Sequence, residues 1–464
     1  MKKSLLMVTC ISLLSVLVGC EKKENSNSSQ SISNSQSSSL SPTIKSEIKT
    51  DKDCYELMLN QDEISNTKIT YEVFEDHVLI EHPEVIFQIK DPTIISIDES
   101  GIITAKKAGK TIVDVTYKNA VKTILIKVYE PISAEQVNRF EEPYVHTYGR
   151  VYKSGNSLKL DHVASGLEFS FYGSSLTASS TLTGNAYIRI FVDEDKEGVF
   201  KQMPGSVAVN MPLLTDLSED FHTVRILKSS EIGDGQILLR NFQAKQFFIP
   251  DEKPELKLEF IGDSITTGYG ALGTKLDSRK VENSDACKSY AYYTVQNMNA
   301  DFSMIALEGI CVNVNMWQPT YKMMEVYKQV SPLNNLEYDF EDEVDAVILN
   351  LGTNDAYYIN HRVPAYASKF ADDYADFLSY IRLKRPNAYI VCMYGNMGKD
   401  NVIDNGIKAT LEKLNDSKIS YYSNLEANKE GASNHPSKEN HQKVGLELST
   451  YLDELLCDLN HKVI

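Results

Sequence analysis

The spacing of apolar residues changes once along this 464-residue chain, near residue 255, and that change limits its architecture more than any other feature. Before it, short runs rich in β-branched residues recur with period two. The runs at 95–98, 113–117 and 124–128 are separated by turn signals at Asp91-Pro92, Ser100-Gly101 and Ala108-Gly109. Alternation of this kind buries one face of a strand, and short strands with regular turns predict a β-sandwich. Leu167, Phe169 and Phe171 alternate in the same way, and 186–192 and 222–227 are further strand candidates. They predict a second antiparallel β-domain of jelly-roll type. After a short polar linker at 251–255, the apolar runs become continuous, at 256–261, 302–307, 344–351 and 388–394. Helical spacing appears at 290–298, 366–383 and 439–456. Apolar strands alternating with amphipathic helices predict a parallel, doubly wound α/β sheet, in which chemistry gathers at the carboxyl ends of the strands.

The chain is therefore expected to be multidomain. Residues 1–20 read as a targeting signal: Lys2 and Lys3 precede a mostly apolar run at 5–18 that is too short for a comfortable membrane span. Its ending, Leu17-Val18-Gly19-Cys20, resembles a lipobox, which implies a lipid anchor on Cys20 and an extracytoplasmic place on the bacterial cell surface. Residues 21–52 are expected to be a flexible tether, because the Ser-, Asn- and Gln-rich stretch that opens them cannot bury enough apolar surface to fold. The two β-domains follow at 53–130 and 131–250, and the α/β domain at 255–464. The net charge of −17, or −19 once Lys2 and Lys3 are removed (−17 minus 2), argues against a nucleic-acid partner. Beyond Cys10 and Cys20, the cysteines at 54, 287, 311, 392 and 457 form no CxxC pair and no metal-ligand spacing. They are expected as buried small hydrophobes, and no metal or cofactor is implied.

Four short blocks carry the chemistry. The first α/β strand ends in Gly262-Asp263-Ser264, which holds a serine out of the sheet on a tight turn. Gly309 follows the second strand, and Gly352-Thr353-Asn354-Asp355 follows the third. His435-Pro436-Ser437 stands just before the last helix. In this order the blocks resemble the SGNH (GDSL-type) hydrolases, a resemblance that covers the chain from about Leu256 to its end. It implies that Ser264 is the nucleophile and His435 its general base. It also implies an oxyanion hole built from the backbone N–H groups of Ser264 and Gly309 and the side-chain amide of Asn354. A serine needs a neighbouring base to become nucleophilic, and each oxyanion donor contributes roughly 10²–10³ in rate.

One position departs from that pattern. The family places an aspartate three residues before the histidine, and here the position is Ala432. A histidine left in the wrong tautomer loses about 10⁴ in the well-studied triads. Two replacements stay open: a backbone carbonyl near Ala432 to Asn434, giving a Ser-His dyad, or a nearby acid, Glu430 or Glu426. The competing reading is a non-catalytic glycan-binding or adhesive lipoprotein with a degenerate hydrolase domain. Within the same fold, a lipase, a thioesterase-like hydrolase or a peptidoglycan O-acetyl esterase are alternatives.

The β-domain ahead of the α/β domain narrows the choice. The pair, with Gly173-Ser174-Ser175-Leu176 and His222-Thr223-Val224, resembles carbohydrate esterase family 2, a jelly roll followed by an SGNH domain. That resemblance implies an acetylated carbohydrate substrate of xylan or mannan type. Residues 96–105 and 107–115 resemble bacterial immunoglobulin-like group 2 domains, which implies a spacer. Trp317 and the pair Tyr357 and Tyr358 are candidates either to contact a sugar ring or to pack. Asp355 is expected to orient its loop, and His222 to be a structural strand residue. His441 is expected at the surface or as a cap of the last helix. The run Gly268-Tyr-Gly-Ala-Leu-Gly273 matches a dinucleotide fingerprint but lacks the strand context it requires, and is expected to be a loop beside the nucleophile.

Overall fold

A computed structural model describes residues 45–61, 64–316, 321–423 and 425–460. The expected signal, most of the tether, Cys20 and Trp317 lie outside the described residues. The chain divides into two compact units, Met1–Pro131 and Ile132–Ile464.

In the first unit, Gly109–Tyr117 and Ala120–Tyr129 form an antiparallel hairpin that pairs Val113 with Ile124. Cys54–Met58 adds in parallel to one side and Ile86–Ile89 antiparallel to the other. Thr111, Val113 and Val115 alternate into the core with Leu57, Ile103 and Ile126, as a period-two pattern requires. The folded region starts earlier than the expected tether allows. Ser46–Thr50 is a strand paired with Tyr71–Glu75, and Ile48 packs into the core from it.

The second unit opens with two antiparallel sheets. One runs in the order Gln246–Phe248, Gly166–Gly173, Asp220–Lys228, Tyr187–Val192, Val199–Gln202, with His146–Tyr148 beside Gly166–Gly173. The other runs Val151–Ser154, Ser157–Leu160, Gly235–Gln243, Leu176–Gly184, Val207–Leu214. Leu167, Phe169 and Phe171 are each fully buried, in one core with Ile237 and Leu239 of the other sheet.

The α/β part is built on five parallel strands in the order Asp301–Ala306, Lys257–Gly262, Ala346–Asn350, Tyr389–Met393, Ile419–Tyr422. The strand order reverses at Lys257–Gly262, whose two neighbours in the sheet both come later in sequence, one on either side. That is the topological switch point, where open α/β sheets bind ligands. Helices Tyr290–Met298 and Lys438–Asn460 contribute to one apolar cluster, and Phe370–Lys384 and Asn401–Leu414 to the other. The second of these helix pairs begins later than the expected 366–383: Pro364–Ser368 is a separate 3-10 turn, because Pro364 starts it.

The β-sheet part packs directly on the α/β part. Tyr148 stacks on Phe302 at 5.2 Å and Phe191 on Tyr292 at 5.4 Å. Glu259, between Leu258 and Phe260 in the strand Lys257–Gly262, is fully buried. It accepts from the Tyr327 hydroxyl at 2.5 Å and from Arg385 at 2.9 Å, and faces Arg150 at 3.7 Å. Arg150 belongs to the β-sheet part and also donates to the carbonyls of Tyr327 and Gln329, at 2.6 and 2.8 Å.

Among the described residues, Cys287, Cys311, Cys392 and Cys457 form no disulfide. Cys287, Cys311 and Cys392 are buried, whereas Cys54 is half-buried and Cys457 is exposed on the last helix, which corrects the expectation for those two.

Candidate active site

The strand Lys257–Gly262 ends in a turn that must be tight. A Cβ on Gly262 would stand 2.0 Å from Thr266 Oγ1, so glycine is required at the point where the strand yields to the turn. Asp263, fully buried, accepts the Ile265 N–H at 2.9 Å and fixes the turn that carries Ser264. Burial pushes its carboxyl up to about 7, against the pull of that N–H.

His435 arrives from the opposite side, on the segment before helix Lys438–Asn460. Its Nε2 lies 2.9 Å from Ser264 Oγ. Its Nδ1 lies 3.1 Å from the Ser433 carbonyl oxygen, so of the two open replacements for the missing acid the structure takes the carbonyl. Glu430 and Glu426 are engaged elsewhere, with Lys275 at 2.9 Å and Lys443 at 2.7 Å. A carbonyl only accepts, so it fixes the proton on Nδ1 and leaves the Nε2 lone pair toward Ser264. Burial pushes the imidazole down to about 4, with the Ser433 carbonyl opposing.

Ala432 has become a packing residue. It is fully buried, and a Cβ on Gly270 (φ 64°) would meet its carbonyl oxygen at 2.6 Å. The Ala432 N–H donates to the Gly270 carbonyl at 2.9 Å. The 268–273 run is therefore the turn that receives the histidine segment, beside the nucleophile. Within it, the Tyr269 ring lies against His435, tilted by 31° with ring centroids 4.0 Å apart.

Asn354 is the second residue of helix Thr353–His361, which starts at the carboxyl end of the middle strand. Its amide donates to the Ile310 carbonyl at 3.0 Å, tying it to the loop that carries Gly309, and makes a longer contact of 3.4 Å to Asp263 Oδ2. Gly309 has φ 72°, a left-handed backbone suited to glycine. Asp355 accepts the Val312 N–H at 3.2 Å and so orients the same loop. Burial pushes its carboxyl up to about 7.

Ser264, Asn354, Tyr357 and His435 line one open pocket of 440 Å³, with Met316 and Met397 among its walls. Tyr358 does not join them. One position further round the helix, it packs on the apolar core and meets Tyr366 edge-on at 5.6 Å. His222 is held in its strand region by Asp193 at 2.8 Å and the Ser218 carbonyl at 3.0 Å. His441 is not at the surface. It is fully buried, stacks on Tyr290, and its Nδ1 accepts the Tyr290 N–H at 3.1 Å, capping the start of a different helix, Tyr290–Met298. Tyr269, Ser433 and Arg279 were not singled out from sequence. Tyr269 lay inside the glycine-rich run already noted, and Ser433 inside the 432–434 stretch whose carbonyls were candidates, whereas nothing local distinguishes Arg279.

Comparison with known proteins adds to this geometry. Residues 147–250 match the family model described as carbohydrate esterase 2 N-terminal, and residues 258–448 match GDSL-like lipase/acylhydrolase. The chain is 31% identical over 247 residues to the cellulase/esterase CelE of Acetivibrio thermocellus, covering 52% of this chain but 30% of that protein. It is 22% identical over 331 residues to an acetylxylan esterase / glucomannan deacetylase of Cellvibrio japonicus, covering 68% of this chain and 90% of the other. A solved structure of a family two carbohydrate esterase from Clostridium thermocellum in complex with cellohexaose superposes with a TM-score of 0.62. Its identity is 27%, and the match covers 67% of this chain and 99% of that one.

Proposed function

We propose that this chain, which carries the N-terminal and GDSL-like domains found in family 2 carbohydrate esterases, removes O-acetyl groups from carbohydrate by a Ser-His acyl-enzyme mechanism. One observation carries the reading: Ser264 Oγ is hydrogen-bonded to His435 Nε2 at 2.9 Å while Nδ1 faces a fixed carbonyl. Ser264 Oγ attacks the acetyl carbonyl as His435 Nε2 takes its proton. The negative charge forming on the carbonyl oxygen is met by the N–H groups of Ser264 and Gly309 and by the Asn354 amide, whose 3.4 Å contact to Asp263 is weak enough to yield. Collapse breaks the bond to the sugar oxygen, and His435 gives its proton to that leaving group. Water then adds to the acetyl-enzyme with His435 again as base, releasing acetate and restoring Ser264.

Xylan- or mannan-type glycans are the proposed substrates, supported by the acetylxylan esterase / glucomannan deacetylase relatives. Tyr357, 44% exposed at the pocket wall, is the candidate to stack on a sugar ring. The first unit is read as an Ig-like spacer and residues 131–250 as a jelly roll. The leader and Cys20 motif support a lipid-anchored place at the cell surface, which Cys20→Ala would abolish, releasing the protein from the membrane fraction.

The deciding experiment is acetate release from acetylated xylan and glucomannan by wild type and Ser264→Ala. Release that vanishes in the variant establishes the esterase. No release by wild type, even from a small activated acetate ester, removes the catalytic reading.

A further inference from the structure

The mechanism leaves one strong ionic cluster beside the site unused. Arg279 stands on the loop after the nucleophile turn, and its side chain is 17% exposed. Its two terminal nitrogens bind both carboxylate oxygens of Asp234, a residue of the β-sheet domain whose side chain is 8% exposed. The same guanidinium reaches Glu308 Oε1 at 2.8 Å. Glu308 is the residue immediately before Gly309. Burial pushes its carboxyl up to about 8, with Arg279 opposing and the nearby Glu231 and Asp234 adding to the rise. A planar guanidinium bound by two oxygens of one carboxylate is fixed in orientation as well as position.

The backbone of the same loop reaches the histidine segment. The Arg279 N–H donates to Ser433 Oγ at 2.9 Å, and the Ser433 N–H donates to the Asp277 carbonyl at 2.9 Å. Ser433 has φ 52°, a left-handed conformation that a serine holds only when its surroundings fix it. That conformation aims its carbonyl at His435 Nδ1. The Arg279 guanidinium also lies 5.5 Å from the ring centre of Tyr269, which lies tilted against His435. Both partners of the imidazole, the carbonyl below it and the ring beside it, thus rest on one arginine's loop.

We propose that Arg279 is a positioning residue: clamped by Asp234 of the β-sheet domain, it holds the Ser433 carbonyl against His435 and Glu308 ahead of Gly309. The β-sheet domain then completes the geometry of the catalytic centre, whatever else it binds. The inference rests on the reading of Ser264 and His435 given above.

The test uses the full chain and 4-nitrophenyl acetate, a probe too small to report glycan contacts, with a fluorophosphonate to count competent sites. Arg279→Ala is expected to lower kcat per titrated site by about 10- to 100-fold, the scale of an ångström-level misplacement. KM should change by less than about threefold, since no substrate contact is removed. The acid limb of kcat/KM is expected to move to lower pH, because a carbonyl that stabilises the protonated imidazole has drifted away; His441, buried nearby, is unchanged. Arg279→Lys restores only part of the rate, since an ammonium cannot reproduce the fork. Asp234→Asn, which keeps the shape and one acceptor, shows the same changes at smaller size, and decides the matter should Arg279→Ala fail to fold. Folded variants with wild-type kcat and an unmoved acid limb overturn the proposal. So does a loss explained wholly by fewer titratable sites, which marks a structural role alone. A wild type that neither turns over the ester nor takes the fluorophosphonate overturns the reading of Ser264 itself, and is told apart because no variant is needed to see it.

Discussion

Of the arginines that join the β-sheet domain to the α/β domain, Arg150 and Arg279 do so in opposite ways. Arg150 enters from the β-sheet side and is 2% exposed, closed between the carbonyls of Tyr327 and Gln329 and the buried carboxylate of Glu259. Arg279 enters from the α/β side, beside the strand ends, and shares itself between Asp234 and Glu308 next to the pocket. The first junction centres on Glu259, a buried residue of the parallel sheet; the second touches the loops that hold the catalytic groups. A buried ion pair adds little net stability over an apolar pair, but removing one partner leaves a charge stranded. The same chemistry therefore anchors a fold at one end of the contact and tunes a site at the other.

The largest effect is expected where the comparison is sharpest. Ser264→Ala should lower kcat by roughly 10⁴- to 10⁶-fold while leaving the thermal melt nearly unmoved, because a buried hydroxyl is traded for a slightly smaller side chain. A melt lowered in step with the activity would mean that the site end of the molecule also carries the fold. Arg150→Ala should do the reverse: a loss of about 3–5 kcal/mol in denaturant unfolding, with turnover per folded molecule within about twofold of wild type. Retained stability would show that Arg385 and Tyr327 satisfy Glu259 alone. Ala432→Asp, which restores the acid of the family pattern, should destabilise by about 2 kcal/mol, since the carboxylate enters a fully buried site against Gly270 and Gly273. A faster, equally stable enzyme would contradict that packing argument.

The smallest effect concerns pH. Burial lowers the His435 pKa to about 4, so the imidazole stays neutral, and able to accept the Ser264 proton, as pH falls from 7 toward 5. The expected kcat/KM is flat across that range and declines only as pH approaches about 4. An acid limb near the ordinary imidazole value of 6.5 would show that the site is wetter than its geometry implies.

Much of the α/β domain could be read from sequence because its signals are local. A parallel strand buried on both faces is a continuous apolar run, and 346–350 or 389–393 cannot easily be anything else. Strand Ile419–Tyr422 went unread, since its residues are only half-buried and its tyrosines do not form an apolar run. The blocks around Ser264, Asn354 and His435 are legible for the same local reason: each is a short polar turn directly after or before a regular element. His441 was misplaced because a histidine near a helix start suggests solvent, whereas its burial depends on Tyr290, 151 residues away in sequence. Arg279 shows the limit most clearly. Its importance comes from Asp234 and Ser433, 45 and 154 residues away, and no periodicity encodes such partners.

The chain between strands Asp301–Ala306 and Ala346–Asn350 is fastened near its start and again midway. Val312 is tied to Asp355 near the start, while Tyr327, midway, is tied to Glu259 and Arg150. Met316, between these anchors, forms part of the pocket wall. A change at Met316 would reshape the pocket wall while these anchors, and the pair Ser264 and His435, stayed in place.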